Sequence, residues 1–241
     1  MEWRDEGVIL AMRKHGESAA IIEVFTAAHG RHAGVVRGGG GRRMAPVLQP
    51  GSQVAVDWHA RLEDHIGTFL VEPLRSRAAL LDDRTGLAAL SAICALARTA
   101  LPEREPHPDL WQATVGMLDG IGVVADWPAR YLRWELRLLE DLGFALDLTR
   151  CAVTGQRDGL AYVSPRSGRA VSREGAGDWA DRLLPLPACL LGQGPASATE
   201  LMQGLAITGH FLARGLEPVL AGRPLPEART RLVDLLARTT G

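Results

Sequence analysis

Lysine is almost missing from this 241-residue chain. Lys14 is the only one, and the other 26 basic residues are arginine. The formal net charge is -1, so the chain is not globally basic. Any grip on a polyanion must come from charge segregated on one face. Cysteine is scarce: Cys94, Cys151 and Cys189 are far apart and odd in number. That argues against a disulfide framework and fits a reducing compartment, so a cytoplasmic protein is expected. Long apolar runs are lacking too. Leu87 to Ala97 is too short for a membrane span, and Leu183 to Thr199 is broken by prolines and glycines. The start, Met1-Glu2-Trp3-Arg4-Asp5-Glu6, has no apolar stretch of a secretion signal. Catalytic signatures are absent: there is no Gly-x-Ser-x-Gly and no His-Glu-x-x-His. Asp82-Asp83 and Glu63-Asp64 are adjacent pairs, which on regular structure do not converge on one site. No enzyme is expected.

Acid is missing from one window. Between Val24 and Val56 there is no Asp or Glu, and inside it lies Arg37-Gly38-Gly39-Gly40-Gly41-Arg42-Arg43. A phosphate-binding loop of the nucleotide-hydrolase type needs Lys followed by Ser or Thr at the start of a helix. No lysine is available here, and Pro46 and Pro50 disfavour that helix. Two readings remain. The run is a mobile surface hairpin with arginines for solubility, or a flexible grip on a nucleic-acid backbone. The acid-free surroundings favour the second, with Arg31, Arg37, Arg42, Arg43 and Lys14 releasing counterions from phosphates.

What is present organises into two parts, an α+β chain. Residues 1–76 read as strands: Gly7–Arg13, Ala19–Phe25, Arg31–Arg37, Gln53–His59 and Ile66–Val71 are short, β-branched or aromatic, and bounded by turn residues. Five short strands predict a small closed barrel, which leaves no exposed edge. Alternation puts Arg31, Ala33, Val35 and Arg37 on one face. His29 and His32 are expected at the surface. Trp58 and Phe69 could stack bases, but alternating aromatics in a small barrel are more often core.

Residues 77–241 read as helical. Leu80–Ala100, Asp109–Gly120, Asp126–Leu142, Thr199–Arg214 and Glu227–Arg238 are the candidates. Asp126 is placed to cap its helix and Gly143 to end it. Within this part, 148–175 is a non-helical insert. Pro165-Arg166-Ser167-Gly168 predicts a β-hairpin turn between Leu160–Ser164 and Arg169–Ser172. Cys151 opens the insert, but a structural zinc site needs four Cys or His ligands. Thr154, Ser164 and Ser167 stand where partners would be, so no metal is expected, and packing of Leu160, Tyr162, Val163 and Val171 must hold the insert. On the Asp126–Leu142 helix, Arg130, Arg133 and Arg137 fall within about 60° of one another. That stripe is either a solvated face or a basic rim for an acidic, hydrophobic peptide. Glu135 falls on the apolar arc and is expected to find an arginine or helix-end amides.

These residues also resemble a known family. Trp3-Arg4-Asp5-Glu6-Gly7, His15-Gly16-Glu17-Ser18, and Val24-Phe25-Thr26 with His29-Gly30-Arg31 resemble the opening of RecO, the bacterial recombination-mediator and DNA-repair family. Val36-Arg37-Gly38 with Leu48-Gln49-Pro50, Arg133-Trp134-Glu135-Leu136 with Leu142-Gly143-Phe144, and Cys151 with Ser164-Pro165-Arg166-Ser167-Gly168-Arg169 are similar to later parts of it. The resemblance implies an N-terminal OB-fold and a C-terminal helical domain. It implies binding of single- and double-stranded DNA at the nucleoid and annealing of complementary strands. It further implies a complex with RecR, contact with the acidic tail of single-stranded DNA-binding protein, and indirect help to RecA. Some members carry a four-cysteine zinc site, of which this chain keeps only Cys151. The alternative function is an adaptor whose OB-fold docks RecR with little DNA contact.

Overall fold

A computed structural model describes residues 1–62 and 64–239; Glu63 of the acidic pair lies outside them. The chain forms two compact units. The first is Met1–Ala125 with Pro226–Leu232, and the second is Asp126–Leu225 with the chain's end from Val233.

In the first unit, β1 (Glu2–His15), β2 (Ala19–Thr26), β3 (Gly30–Val36), β4 (Gln53–His59) and β5 (Thr68–Arg75) close into a barrel ordered β1-β2-β3-β5-β4. β1 starts earlier than the hydrophobic pattern suggests. Its first half, Glu2–Val8, pairs with β4, and its second half, from Gly7, pairs with β2. Charged residues in the first half obscure the alternation. Gly7 stands where the two pairings overlap, and a Cβ there would lie 2.3 Å from a Val24 methyl. One parallel bridge, Val35 to Thr68, closes the barrel.

Inward positions alternate as strand geometry demands. Ile9, Ile22, Val24, Leu48, Val54 and Val56 form the core with Trp58 and Phe69. The last two are each 2% exposed, so they are core and not stacking platforms. Burying a side chain such as Phe69 contributes about 2–3 kcal/mol. α1 (Arg84–Ala100) is capped by the Asp83 carboxylate, which accepts from the Thr85 N–H at 3.0 Å. α2 (Pro108–Gly120) follows. Arg77 ties these parts together. Its buried guanidinium donates to the Gly51 carbonyl and to Asp119, each at 2.5 Å. Burial pushes the Asp119 carboxyl up, but the Arg75 and Arg77 guanidiniums outweigh it and hold the group below the usual carboxylate range. Cys94 is inert core, its thiol pushed up to about 12 by burial.

In the second unit, α3 (Trp127–Asp141) opens with Trp127 and Pro128, and Gly143 follows it at φ +80°. Then come β6 (Leu160–Val163) and β7 (Ala170–Ser172), an antiparallel hairpin with Gly168 at φ +70° in its turn. The short α4 (Arg173–Ala176) and β8 (Leu184–Pro185) complete the insert region. α5 (Ala198–Gly215) has a capping box made by Ser197 and Glu200. α6 (Glu217–Leu220) follows, and α7 (Glu227–Thr239) is divided between the two units, its residues up to Leu232 belonging to the first. α3 and α5 pack closely, since a Cβ on Gly204 would sit 2.4 Å from a Leu132 methyl. Glu135 is fully buried on this face. It accepts from the Tyr131 hydroxyl at 2.6 Å and the Thr208 hydroxyl at 2.5 Å. No described helix is long and apolar enough to cross a membrane.

Candidate nucleic-acid interface

The Arg37–Arg43 run is not a floppy loop. Consecutive turns fold it: Gly39 N–H donates to the Val36 carbonyl at 3.1 Å, and Gly41 N–H to Gly38 at 3.0 Å. Further on, Met44 N–H donates to Gly41 at 3.1 Å. Gly40 N–H donates to Ser18 at 2.9 Å, which fastens the segment to the β1–β2 turn. Gly39 is buried, and a Cβ there would meet Ala20 at 2.9 Å and Leu48 at 3.1 Å. At Gly39 the absent side chain therefore allows close backbone packing, where the sequence predicts an open, flexible loop.

The packing pins three arginines outward. Arg37, Arg42 and Arg43 are exposed, as is Lys14 at the end of β1 beside the same turn. Among the described residues, no carboxylate pairs with any of the four. Next to Arg37 a groove of about 650 Å³ runs between the end of β3 and the β4–β5 connection. Arg37, His59, Arg61 and His65 line it. In five-stranded barrels of this type, oligonucleotides bind across strands 2 and 3 and the loops after strands 1 and 4. Arg61 lies in the loop after strand 4, Lys14 stands at the end of strand 1 beside the loop that follows it, and Arg37 comes directly after strand 3. The sequence reading missed His59, Arg61 and His65. A cue was available: once β4 and β5 are recognised, their connection is the loop that faces the end of β3.

Arg31 is different. It lies on the outer face with Ala33 and Val35, as alternation requires. Yet its guanidinium donates to Glu23 at 2.8 Å, to Glu103 at 3.3 Å and to the Leu101 carbonyl at 2.8 Å. The acid-free window in sequence is not acid-free in space. The structure separates Arg31 from the Arg37, Arg42 and Arg43 group. His32 also departs from expectation. It is not a surface residue but points into the barrel, because inward-facing positions of β3 are the even-numbered ones.

On α3 the stripe of Arg130, Arg133 and Arg137, the first two exposed and the third half-buried, is self-neutralised. Asp126 does not cap the helix; its carboxylate meets Arg130 and Arg133, each at 3.1 Å. Arg137 meets Glu140 at 3.4 Å and Asp141 at 3.6 Å. In the insert, Cys151 is buried, and its Sγ accepts from the Ser172 N–H at 3.2 Å and the Ser172 hydroxyl at 3.3 Å. The Val153 and Thr154 N–H groups add contacts at 3.4 Å. Burial raises the thiol's pKa, but these donors outweigh it and bring it to about 6. Val171, Ala176, Leu160 and Tyr162 pack around it. Among the described residues no group of three His, Cys, Asp or Glu could hold a metal.

Comparison with known proteins agrees with this arrangement. The model of the Recombination protein O N-terminal domain matches residues 1–77, and that of the Recombination protein O C-terminal domain matches 81–224. The chain is 68% identical over 238 residues to the DNA repair protein RecO of Cereibacter sphaeroides, covering 99% of both. It is 60% identical over 239 residues to that of Roseobacter denitrificans, again covering 99% of both. Against that of Jannaschia sp. it is 54% identical over 241 residues, covering 99% of this chain and 97% of the relative. A basic-ended OB-fold barrel, a mostly helical remainder and matches along nearly the whole chain agree, and the chain belongs to the RecO family.

Proposed function

We propose that this protein is a DNA-repair mediator that holds the sugar–phosphate backbone of DNA at the Arg37 end of its barrel. The observation that carries the reading is the cluster of Arg37, Arg42, Arg43 and Lys14, exposed at one end with no described carboxylate paired to them. Residues 1–76 carry the DNA, and 77–241, with the insert at 148–175, carry protein contacts. The fixed arginines screen repulsion between two phosphate backbones, so complementary strands approach and pair. No covalent bond is made or broken, and ATP is not needed. With RecR, the protein then helps RecA onto strands coated by single-stranded DNA-binding protein, acting in the cytoplasm at the nucleoid. Arg31 is left out of the grip, because its charge is spent on Glu23 and Glu103.

Oligonucleotide annealing tests the proposal, with Arg37, Arg42 and Arg43 changed together to Ala. The expected result is slower annealing and a single-strand salt slope shallower by about 2, from about 0.7 per lost contact. Unchanged annealing with an unchanged slope would remove the loop from the mechanism.

A second reading, a protein-interaction adaptor, is favoured by exposed apolar side chains on the same barrel. Leu70 is 65% exposed and Leu62 52%. In that case the barrel docks RecR, and a labelled single strand fails to bind even at low salt.

A further inference from the structure

The barrel has a second opening that backbone binding does not use. A pocket of about 410 Å³ is lined by Trp3, His29, His32, Trp58 and Arg104, among others. Trp3 is the centre of this cluster. His29 stacks on it with ring centroids 4.0 Å apart and planes 7° apart. The Trp58 ring is 5.7 Å away at 19°, and the His32 ring is edge-on at 5.2 Å. His29 is itself held by Asp5, 3.2 Å from its Nδ1.

His32 is the anomaly. It is 4% exposed, yet neither of its ring nitrogens has a hydrogen-bond partner among the described residues. Buried polar atoms are nearly always paired, so an orphan of this kind needs an explanation. Burial, then Arg104 and His29, lower its pKa to about 4, so near neutral pH the ring is uncharged. It then offers one N–H donor and one lone pair. Arg104 stands at the pocket with a left-handed φ of +64°, and its guanidinium donates to the His65 carbonyl at 3.1 Å. His65 also lines the Arg37 groove. The indole N–H of Trp58 donates to Ile66 in the same connection at 3.1 Å. The β4–β5 connection is thus shared between the aromatic pocket and the basic groove.

We infer that this pocket takes one unpaired nucleobase of a single strand whose phosphates lie in the Arg37 groove. The inference rests on the DNA-backbone reading above and adds a base subsite to it. The half-buried Trp3 and His29 rings suit the flat π-face that every base has, with Trp58 as the core floor beneath them, so the contact is tolerant of sequence. The donor and acceptor of neutral His32 suit the polar edge of a base, which also carries both. A base stacked in a duplex cannot enter, so the pocket favours single strands over double ones.

The test uses the full chain and two labelled strands of equal length and phosphate number, one of thymidines and one abasic. Fluorescence anisotropy should show the abasic strand binding about tenfold more weakly. His29→Ala and Trp3→Leu should each remove that preference while leaving the abasic affinity unchanged. His29 lies in the β2–β3 turn and is only half-buried, so its variant guards against misfolding of the Trp3 one. Equal affinity for the two strands would overturn the pocket and leave the backbone reading standing. A base preference that survives in both variants would overturn it equally. Failure of both strands to bind at low salt would remove the backbone reading, and the base subsite with it.

Discussion

Two arginine clusters in this protein look alike in sequence and differ in space. At the end of the barrel, Arg37, Arg42 and Arg43 sit on tightly folded turns, and no described carboxylate reaches them. On α3, Arg130 and Arg133 are as exposed and Arg137 is half-buried, but Asp126, Glu140 and Asp141 of the same segment neutralise them. Counting arginines measures charge; only their neighbours determine how much of it a polyanion can use. Such exposed pairs contribute about 0–1 kcal/mol to stability, so the α3 pairs order a helix surface and little more. Arg31 makes the same point inside the barrel unit, where half-burial makes its pairing structural.

The comparison can be broken or sharpened by substitution. The largest effect is expected from Gly39→Val. The added atoms meet Ala20 and Leu48, so the turns must lift from the barrel. Overpacking of this kind costs about 1–3 kcal/mol. DNA affinity should fall although no charge is lost, as anisotropy at fixed salt would show; an unchanged affinity would mean that the arginines act without a fixed platform.

Arg31→Ala should do the reverse. Denaturant melts are expected to show about 2 kcal/mol of lost stability, because among the described residues Glu23 then keeps only Arg98 as an ion-pair partner. The DNA salt slope should not move, and a slope shallower by a full contact would return Arg31 to the interface.

A third effect concerns pH. His32 has a folded pKa of about 4 against an ordinary 6.5. The unfolded chain therefore binds a proton between those values that the folded barrel refuses. Stability is full above about pH 6.5 and falls as pH drops towards 4. Melting temperatures across that range should decline in the native protein and decline less in His32→Leu. Parallel curves would show that His32 is not the group responsible.

The smallest effect is expected on α3. Changing Arg130, Arg133 and Arg137 to Gln should alter affinity for an acidic, hydrophobic peptide by no more than about twofold, given the worth of exposed pairs. A tenfold loss, read by calorimetry, would make the stripe a binding rim after all.

Local features were the readable ones. The alternation of Gln53–His59 matches β4 residue for residue, and Pro165 to Gly168 forms the hairpin turn it signals. Gly143 follows α3 in the left-handed conformation that its place after the helix signals. These depend on neighbours within a few positions. Asp126 was lost as a cap to Arg130 and Arg133 within two helical turns, but the other misreadings involve partners farther away in the chain. Arg31 meets Glu103, 72 residues on, and Gly40 meets Ser18 across a turn. His32 was misplaced because a polar side chain at an inward position looks like a surface one until its strand register is known. Arg61 and His65 join the site only because β5 returns beside β3.

The central claim is that usable positive charge sits at the barrel end and not on α3. The most direct measurement is the salt dependence of single-strand binding for three proteins side by side: native, Arg37/Arg42/Arg43→Ala, and Arg130/Arg133/Arg137→Gln. The account predicts a slope shallower by about 2 in the first variant and unchanged in the second. A native slope in the barrel variant with a shallower one in the α3 variant would contradict it.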